Sequence, residues 1–319
     1  VEEGFSIAIF PEGTRSPDGT VKRFHKGAFF LAEKLNLDVT PLLIHGAWDT
    51  IRKGDFYVND ATLTLKFLPV IKSTDIQFGQ DYSTRTKTIS RYFKQALAKL
   101  AKEAEQPEYF RYKLLRNYYY KGPVLEWYAK IKLSLEDNYT VFNTLVPANA
   151  TVLDLGCGYG FLSYMLSFTS AQRQITGIDY DEDKILTAQH CYSKTDRVNF
   201  ICADITTIAL NRYDVIILSD VLHYLQPPQQ AEVLQKAFMA MNPGGKIILR
   251  DANAELGKRH RGSVLTEFFS TKVFRFNKAA QKLHFIKAET VVKAASNYNL
   301  TVEILDNTRF TSNVIFVIK

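Results

Sequence analysis

Cysteine is scarce in this sequence. Cys157, Cys191 and Cys202 are the three in 319 residues, and none forms a C-x-x-C pair. That excludes a disulfide framework and a zinc site of ordinary ligand spacing, and no metal site is expected. All three lie in apolar or turn contexts and read as buried free thiols of a reducing compartment. No apolar run is long enough to span a bilayer, and no stretch has the pattern of a signal peptide. There is no internal repeat and no low-complexity tract. Acidic residues are thin in one place. Between Arg85 and Lys132, twelve Lys and Arg face four Glu, and this stretch accounts for the net charge of +7. The length suits about two domains.

What is present is organised around Thr151–Leu166, TVLDLGCGYGFLSYML. An apolar, β-prone run ends near Asp154. Gly156, Gly158 and Gly160 follow at alternate positions, and an apolar helical pattern resumes. This is strand, glycine turn and helix, the first βα unit of a doubly wound sheet. Four more strands follow: Gln174–Ile178 before Asp179, Val198–Ala203 before Asp204, Tyr213–Leu218 before Ser219-Asp220, and Lys246–Leu249 after the turn Asn242-Pro243-Gly244-Gly245. Each strand tip carries a polar residue, where an open α/β sheet binds its ligand. A helix over Ala288–Tyr298 and strands over Leu300–Leu305 and Val314–Ile318 complete the pattern. The dinucleotide fingerprint G-x-G-x-x-G does not fit, because the third glycine comes two residues after the second.

The pieces "LDLGCGYG", "GIDYDEDKI", "CADI", "YDVIILSDVLHYL" and "MNPGGKIIL" resemble the class I S-adenosylmethionine-dependent methyltransferases, over roughly Pro147 to Lys319. The resemblance implies a Rossmann-like, seven-stranded, mostly parallel sheet ending in an antiparallel edge hairpin. It implies S-adenosylmethionine as cofactor. Asp154, Gly156, Cys157, Gly158 and Gly160 would lie against its methionine part. Asp179 would hold the ribose, Tyr180 would flank the adenine, Asp204 and Ile205 would border the ring, and Ser219 would sit at the switch toward the acceptor. His223 is the candidate general base, with a structural role as the alternative. Arg250-Asp251 and the cluster Lys258-Arg259-His260-Arg261 are candidates to hold an anionic acceptor. Methyltransferases of base nitrogens usually carry Asn/Asp-Pro-Pro-aromatic after strand four. Ser219-Asp220-Val221-Leu222 stands there instead, so nucleic acid is not the expected partner.

The chain begins at Val1 and almost at once enters the strand-like run Ser6–Phe10, as a piece of a longer protein would. Pro11 and Gly13 then make FPEGTRS a loop, with the Arg15 fork suited to phosphate. "FPEGTRS" and "FHKGAFFLAEKLNLDVTPLLIHGAWD" resemble the glycerolipid acyltransferases. By that resemblance Glu12, Gly13, Thr14 and Arg15 hold a glycerol phosphate, Phe29, Leu31 and Leu35 bury a helix face, and Pro41 precedes a strand. The family's catalytic His-x-x-x-x-Asp pair occurs nowhere here; His45 and Asp49 are four apart. Without that base, acyl transfer by this chain is not expected. Ala61–Val70 alternates as a half-exposed strand.

Thr84–Glu105 reads as a basic amphipathic helix with Ile89, Phe93, Leu97 and Leu100 along one stripe. It suits either an anionic membrane surface or packing within its own domain. Gln106-Pro107 ends it. The expected organisation is 1–106 as the second half of an acyltransferase domain, 107–146 as a helical linker and cofactor lid, and 147–319 as the methyltransferase. The lid would hold Tyr119, Tyr120 and Trp127, with one helix over Val124–Leu145. Three functions are consistent with this. The first is a methyltransferase of a lipid-linked or small-molecule acceptor fused to the acyltransferase part, with acyl donor and glycerophosphate as partners of the intact protein. The second is a soluble small-molecule methyltransferase with a scaffold-only N-terminal half. The third is a non-enzymatic, cofactor-binding membrane-docking module. The expected location is cytoplasmic or peripheral on the inner face of the membrane.

Overall fold

A strand needs a partner for its backbone groups, and the N-terminal residues show what happens without one. In the computed structural model, which describes residues 4–51, 54, 56–252, 283–306 and 313–319, Ser6–Phe10 forms no ladder and is exposed along its length. The strand expected there is absent. Two compact units divide between Lys113 and Leu114. The division falls inside the stretch read as a linker.

The first unit holds α1 (Gly27–Lys34), β1 (Leu42–His45), α2 (Ala47–Thr50), β2 (Thr64–Phe67) and α3 (Tyr82–Ala104). Helix α4 (Arg111–Arg116) crosses the division. β1 and β2 pair antiparallel, Leu42 opposite Phe67 and Ile44 opposite Leu65, and these four side chains face outward. Leu43 and His45 face inward. The core is small: Phe24, Phe29, Ile71 and Ile89. Asp81 caps α3 by accepting from the backbone N–H groups of Ser83 and Thr84, as a short acidic side chain at this position does. The apolar stripe of α3 is turned inward at Ile89 and Leu100, and Phe93 meets Phe24 edge-on at 5.2 Å. α3 therefore packs within its own unit. Leu35 departs from expectation. Helix α1 ends one residue before it, and its side chain is exposed.

The second unit continues with α5 (Pro123–Leu135), α6 (Tyr139–Leu145), β3 (Thr151–Leu155), α7 (Phe161–Thr169), β4 (Gln174–Asp179), α8 (Glu182–Gln189), β5 (Val198–Cys202), β6 (Tyr213–Ser219), α9 (Pro227–Ala240), β7 (Met241–Ala252), α10 (Ala288–Ser296), β8 (Val302–Leu305) and β9 (Asn313–Ile318). The described strands form one seven-stranded sheet in the order β5-β4-β3-β6-β7-β9-β8. Five run parallel, and β9 runs antiparallel to both β7 and β8. The central strands β3 and β6 are buried on both faces, as parallel strands between helices are, while the edge strands β5 and β8 are partly exposed. Leu153, Ile216, Leu218, Ile247 and Phe316 face the layer that includes Val233, Leu234 and Val291. Val152, Val215, Ile217, Ile248 and Val317 face the layer that includes Phe142 and Leu166.

Several boundaries differ from the sequence reading by a few residues, and two of the differences have a visible cause. The turn Asn242–Gly245 is absorbed into β7 as an irregularity, because Asn242 donates to Asp214 Oδ1 at 2.8 Å and pairing resumes at Lys246. The single helix expected over Val124–Leu145 is broken after Leu135, because Glu136 turns inward to Arg250 and accepts from the backbone N–H of Asn138.

Candidate functional site

Parallel strands bring their carboxyl ends to one edge, and the chain reversal between β3 and β6 opens a crevice there. Three glycines follow β3, all with positive φ: Gly156 at 76°, Gly158 at 55° and Gly160 at 77°. Their surroundings differ. A Cβ on Gly156 would lie 2.4 Å from Val221 Cγ2, and one on Gly160 would lie 2.6 Å from the Phe200 ring. These two let the loop press against its neighbours. A Cβ on Gly158 would meet nothing within 4 Å, so this glycine borders open space. It leaves the backbone bare toward a ligand.

Asp179, at the tip of β4, ties this loop down. Its Oδ2 accepts from Gly158 N at 2.8 Å and its Oδ1 from Asp181 N at 2.9 Å. A carboxylate oxygen has two acceptor sites, so capacity for ribose hydroxyls is left. Asp154 lies beneath the loop, almost fully buried, and accepts from Ser163 Oγ at 2.6 Å. Burial, with Asp179 adding a like charge, pushes its carboxyl up to about 6. Cys157 is part of the loop, and burial pushes its thiol up, away from nucleophilic use. Ile205 is buried while Tyr180 and Asp204 are exposed, and Asp204 accepts from Thr206 N and Oγ1. Ser219 is half-buried at the end of β6.

Within the stretch read as a lid, one residue supports the glycine loop. Tyr118 is fully buried, and its hydroxyl donates to the carbonyl of Tyr159, between two of the loop glycines, at 2.9 Å. Its ring meets Phe161 at 4.5 Å. Tyr120 donates to Thr187 O at 2.8 Å. Tyr119 and Trp127 are exposed. Sequence alone did not single out Tyr118, one of three consecutive tyrosines with no periodicity to mark the inward one.

At the tips of β6 and β7 two acid–base pairs meet. His223 Nδ1 lies 2.7 Å from Asp251 Oδ1, and the His223 backbone N–H donates to Asp251 Oδ2. Both side chains are buried. With a carboxylate on Nδ1, the ring takes the tautomer that leaves Nε2 basic. Asp251 is the residue that sequence reasoning assigned elsewhere, as an acceptor-holding group. Arg250 also departs from that assignment. Its guanidinium is buried and already held by Glu136 Oε1 at 2.6 Å and by both oxygens of Asp220. It is a structural cation. Burial raises the cost of the Glu136 charge, but the Arg250 charge and hydrogen bond outweigh this and hold its carboxyl below the usual range. Asp220 has a φ of 56°, fixed by this grip and by its N–H donating to Arg250 O. The basic cluster Lys258–Arg261 lies outside the described residues.

In the first unit, Glu12 Oε2 accepts from Lys22 N at 2.8 Å, and Gly13 takes a φ of 67°. A Cβ there would lie 3.2 Å from the His25 ring. Thr14 and Arg15 are exposed. His45 pairs with Glu105, and Asp49 accepts from Tyr109, so neither is coupled to the other. Among the described residues no group of His, Cys, Asp and Glu could hold a metal, and no helix is long and apolar enough to cross a membrane.

Comparison with known proteins gives the same division. Residues 147–303 match the family model of a methyltransferase domain, and residues 1–45 match that of an acyltransferase. The 1-acyl-sn-glycerol-3-phosphate acyltransferase of Limnanthes alba is 40% identical over 74 residues, which are 23% of this chain and 26% of that protein. The carboxy-S-adenosyl-L-methionine synthases of Campylobacter concisus and Mannheimia succiniciproducens are 28% and 31% identical over 123 and 111 residues. Those segments are 36% and 33% of this chain, and 52% and 46% of the synthases. The chain thus spans about a quarter of the acyltransferase and about half of the synthases. Among solved structures, the pyocyanin biosynthetic protein PhzM aligns with a TM-score of 0.48 at 17% identity, over 61% of this chain and 57% of that one. The second unit contains a methyltransferase domain, an enzyme domain whose cofactor is S-adenosylmethionine. The residues present fit that group: a bare backbone at Gly158, acid tips on β4 and β5, and an apolar edge at Ile205.

Proposed function

We propose that this methyltransferase domain moves a methyl group from S-adenosylmethionine to an oxygen or nitrogen of a lipid-linked or small-molecule acceptor, on the cytoplasmic side of the cell. The bound cofactor supplies a methyl on a sulfonium centre, which needs no activation by the protein. The chain's own residues position, desolvate and move one proton. Gly156–Gly160 present backbone to the methionine part. Asp154 faces its ammonium. Asp179 takes the ribose hydroxyls, and Tyr180, Asp204 and Ile205 border the adenine. His223, with Nδ1–H held by Asp251, takes the acceptor's proton on Nε2 as the new bond to carbon forms. Ser219 lines the passage between the two ends.

The His223–Asp251 pair carries this reading, because a buried carboxylate on one ring nitrogen makes the other a base. The test is methyl transfer from radiolabelled S-adenosylmethionine into a cell extract, with solvent partition of the products. Label in the lipid phase, lost in Asp179→Ala, supports a lipid-linked acceptor. Label in the aqueous phase alone restricts the acceptor to small soluble molecules. No label in either phase sinks the methyl-transfer reading.

A second reading comes from the names of the bacterial relatives. They are synthases of carboxy-S-adenosyl-L-methionine, so the domain would modify the cofactor itself. Mass spectrometry separates the two: release of S-adenosylhomocysteine means transfer, and a heavier cofactor means synthesis. The first unit, which lacks a His-x-x-x-x-Asp pair in this chain, we assign to binding of a glycerophosphate through Glu12, Gly13, Thr14 and Arg15, without acyl transfer.

A further inference from the structure

The residues that match the methyltransferase family begin at 147, yet a charge from before that point reaches the glycine loop. Helix α5 carries it. Tyr128 and Lys132 lie one turn apart on α5 and share a face. The Tyr128 ring is 6.0 Å from that of Tyr159, which sits in the loop between Gly158 and Gly160. Lys132 Nζ is 3.8 Å from Asp220 Oδ2, just past β6. Toward β4, the ammonium of Lys184 in the first turn of α8 lies over the Tyr159 ring, 5.8 Å from its centre. The charges of Lys184 and Lys132 bear on each other. Lys132 is thus held near the glycine loop, between the tips of β4 and β6.

The ammonium of Lys132 has no close partner there. Glu136 and Asp220 both bear on its charge, but their oxygens hold the Arg250 guanidinium. At 3.8 Å Lys132 is beyond hydrogen-bond reach of Asp220, and among the described residues its Nζ makes no hydrogen bond. A lysine serving Asp220 alone would close to about 2.8 Å. The side chain is 39% exposed. Desolvation works against its charge, but the Asp220 carboxylate outweighs this and raises its pKa, so the ammonium is charged at neutral pH. Its three donors are available to a ligand in the crevice. The methionine part of the cofactor is a zwitterion. Asp154 serves its ammonium, and its carboxylate calls for a charged donor. A cation standing beside acids is the complement of such a group.

We propose that Lys132 holds the methionine carboxylate of S-adenosylmethionine, so that α5 completes a cofactor site that residues 147–303 alone leave open. This rests on the cofactor lying over the glycine loop. It is the same whether the methyl group is transferred or the cofactor itself is modified, because both use the same amino-acid end.

The test is calorimetric binding of two ligands by the full chain. One is S-adenosylhomocysteine. The other is its decarboxylated analogue, which keeps the adenosine, the sulfur and the amine. Wild type should prefer the first by about tenfold to hundredfold, the worth of a charge-assisted bond. Lys132→Met should lose that factor for S-adenosylhomocysteine, hold the analogue within about threefold, and so erase the preference. Lys132→Arg should restore most of it. If Lys132 only neutralises Asp220, Lys132→Met weakens both ligands equally and the preference survives, which overturns the proposal. A wild type that binds the two ligands equally also overturns it, and that result needs no variant to fold. If wild type binds neither ligand, the cofactor reading falls and Lys132 falls with it. If wild type binds S-adenosylhomocysteine and the preference outlasts Lys132→Met, the assignment of Lys132 alone falls.

Discussion

Asp154→Asn should make the free protein more stable and its cofactor binding weaker. The wild-type side chain is buried, and its carboxyl is pushed from 3.8 to about 6, chiefly by desolvation. The folded state therefore holds the proton more tightly than the unfolded chain does. Between those two pH values stability falls as pH rises, and above about 6 the whole penalty is present. A shift of roughly two units amounts to about 3 kcal/mol. Asparagine has the same shape, carries no charge, and can still accept the Ser163 hydroxyl. The variant should gain up to about 3 kcal/mol at pH 8, or about 6–12 °C in Tm for a unit of this size. At pH 5 the gain should shrink by about half, since the wild-type side chain is then mostly protonated. Its affinity for S-adenosylhomocysteine should fall by about tenfold or more, because the ammonium loses its carboxylate. Thermal unfolding at the two pH values and calorimetry check both signs. A variant less stable than wild type at pH 8, or a gain that does not shrink with pH, would refute the account of the buried charge.

Asp179→Ala takes the acceptor from Gly158 N–H and the acid from the ribose; S-adenosylhomocysteine affinity should drop about 100-fold, and a loss under threefold by calorimetry would remove Asp179 from the site. Asp251→Asn should lower kcat by about 100-fold or more, once an acceptor is in hand, and leave cofactor affinity unchanged; a KM effect alone would count against a proton-transfer role. Arg250→Met leaves the buried Glu136 and the half-buried Asp220 without the guanidinium between them, and should cost about 3–5 kcal/mol by denaturant unfolding. Glu136 itself, held below its ordinary value, contributes stability that is present at neutral pH and is lost only as pH falls through its lowered folded value.

What could be read from sequence was what neighbours along the chain determine. β3 falls on the residues its apolar run marks, β4, β5 and β6 begin where expected, and the glycine loop sits where its spacing puts it. The breaks lie where a distant residue decides. The kink after Leu135 exists because Glu136 reaches Arg250, 114 residues away, and nothing local foretells it. Asp251 is the same case: its role depends on His223, 28 residues before it and in the turn that follows β6. In the first unit, the outward side of β2 carries Leu65 and Phe67, so alternation located the strand but could not say which face is inside.

The position of β9 in the sheet sets an order on folding. It lies between β7 and β8, yet it follows both in the chain. Until residues 313–318 have left the ribosome, β7 has only β6 beside it, and its other edge of unpaired N–H and C=O groups stays open. β8 meanwhile has no strand to join. Such an edge invites pairing with another nascent chain. Synthesis to the end of β9 is thus a condition for closing the sheet, and a stall anywhere from Ala252 to Asn313 would leave the cofactor edge assembled on a molecule still prone to aggregate.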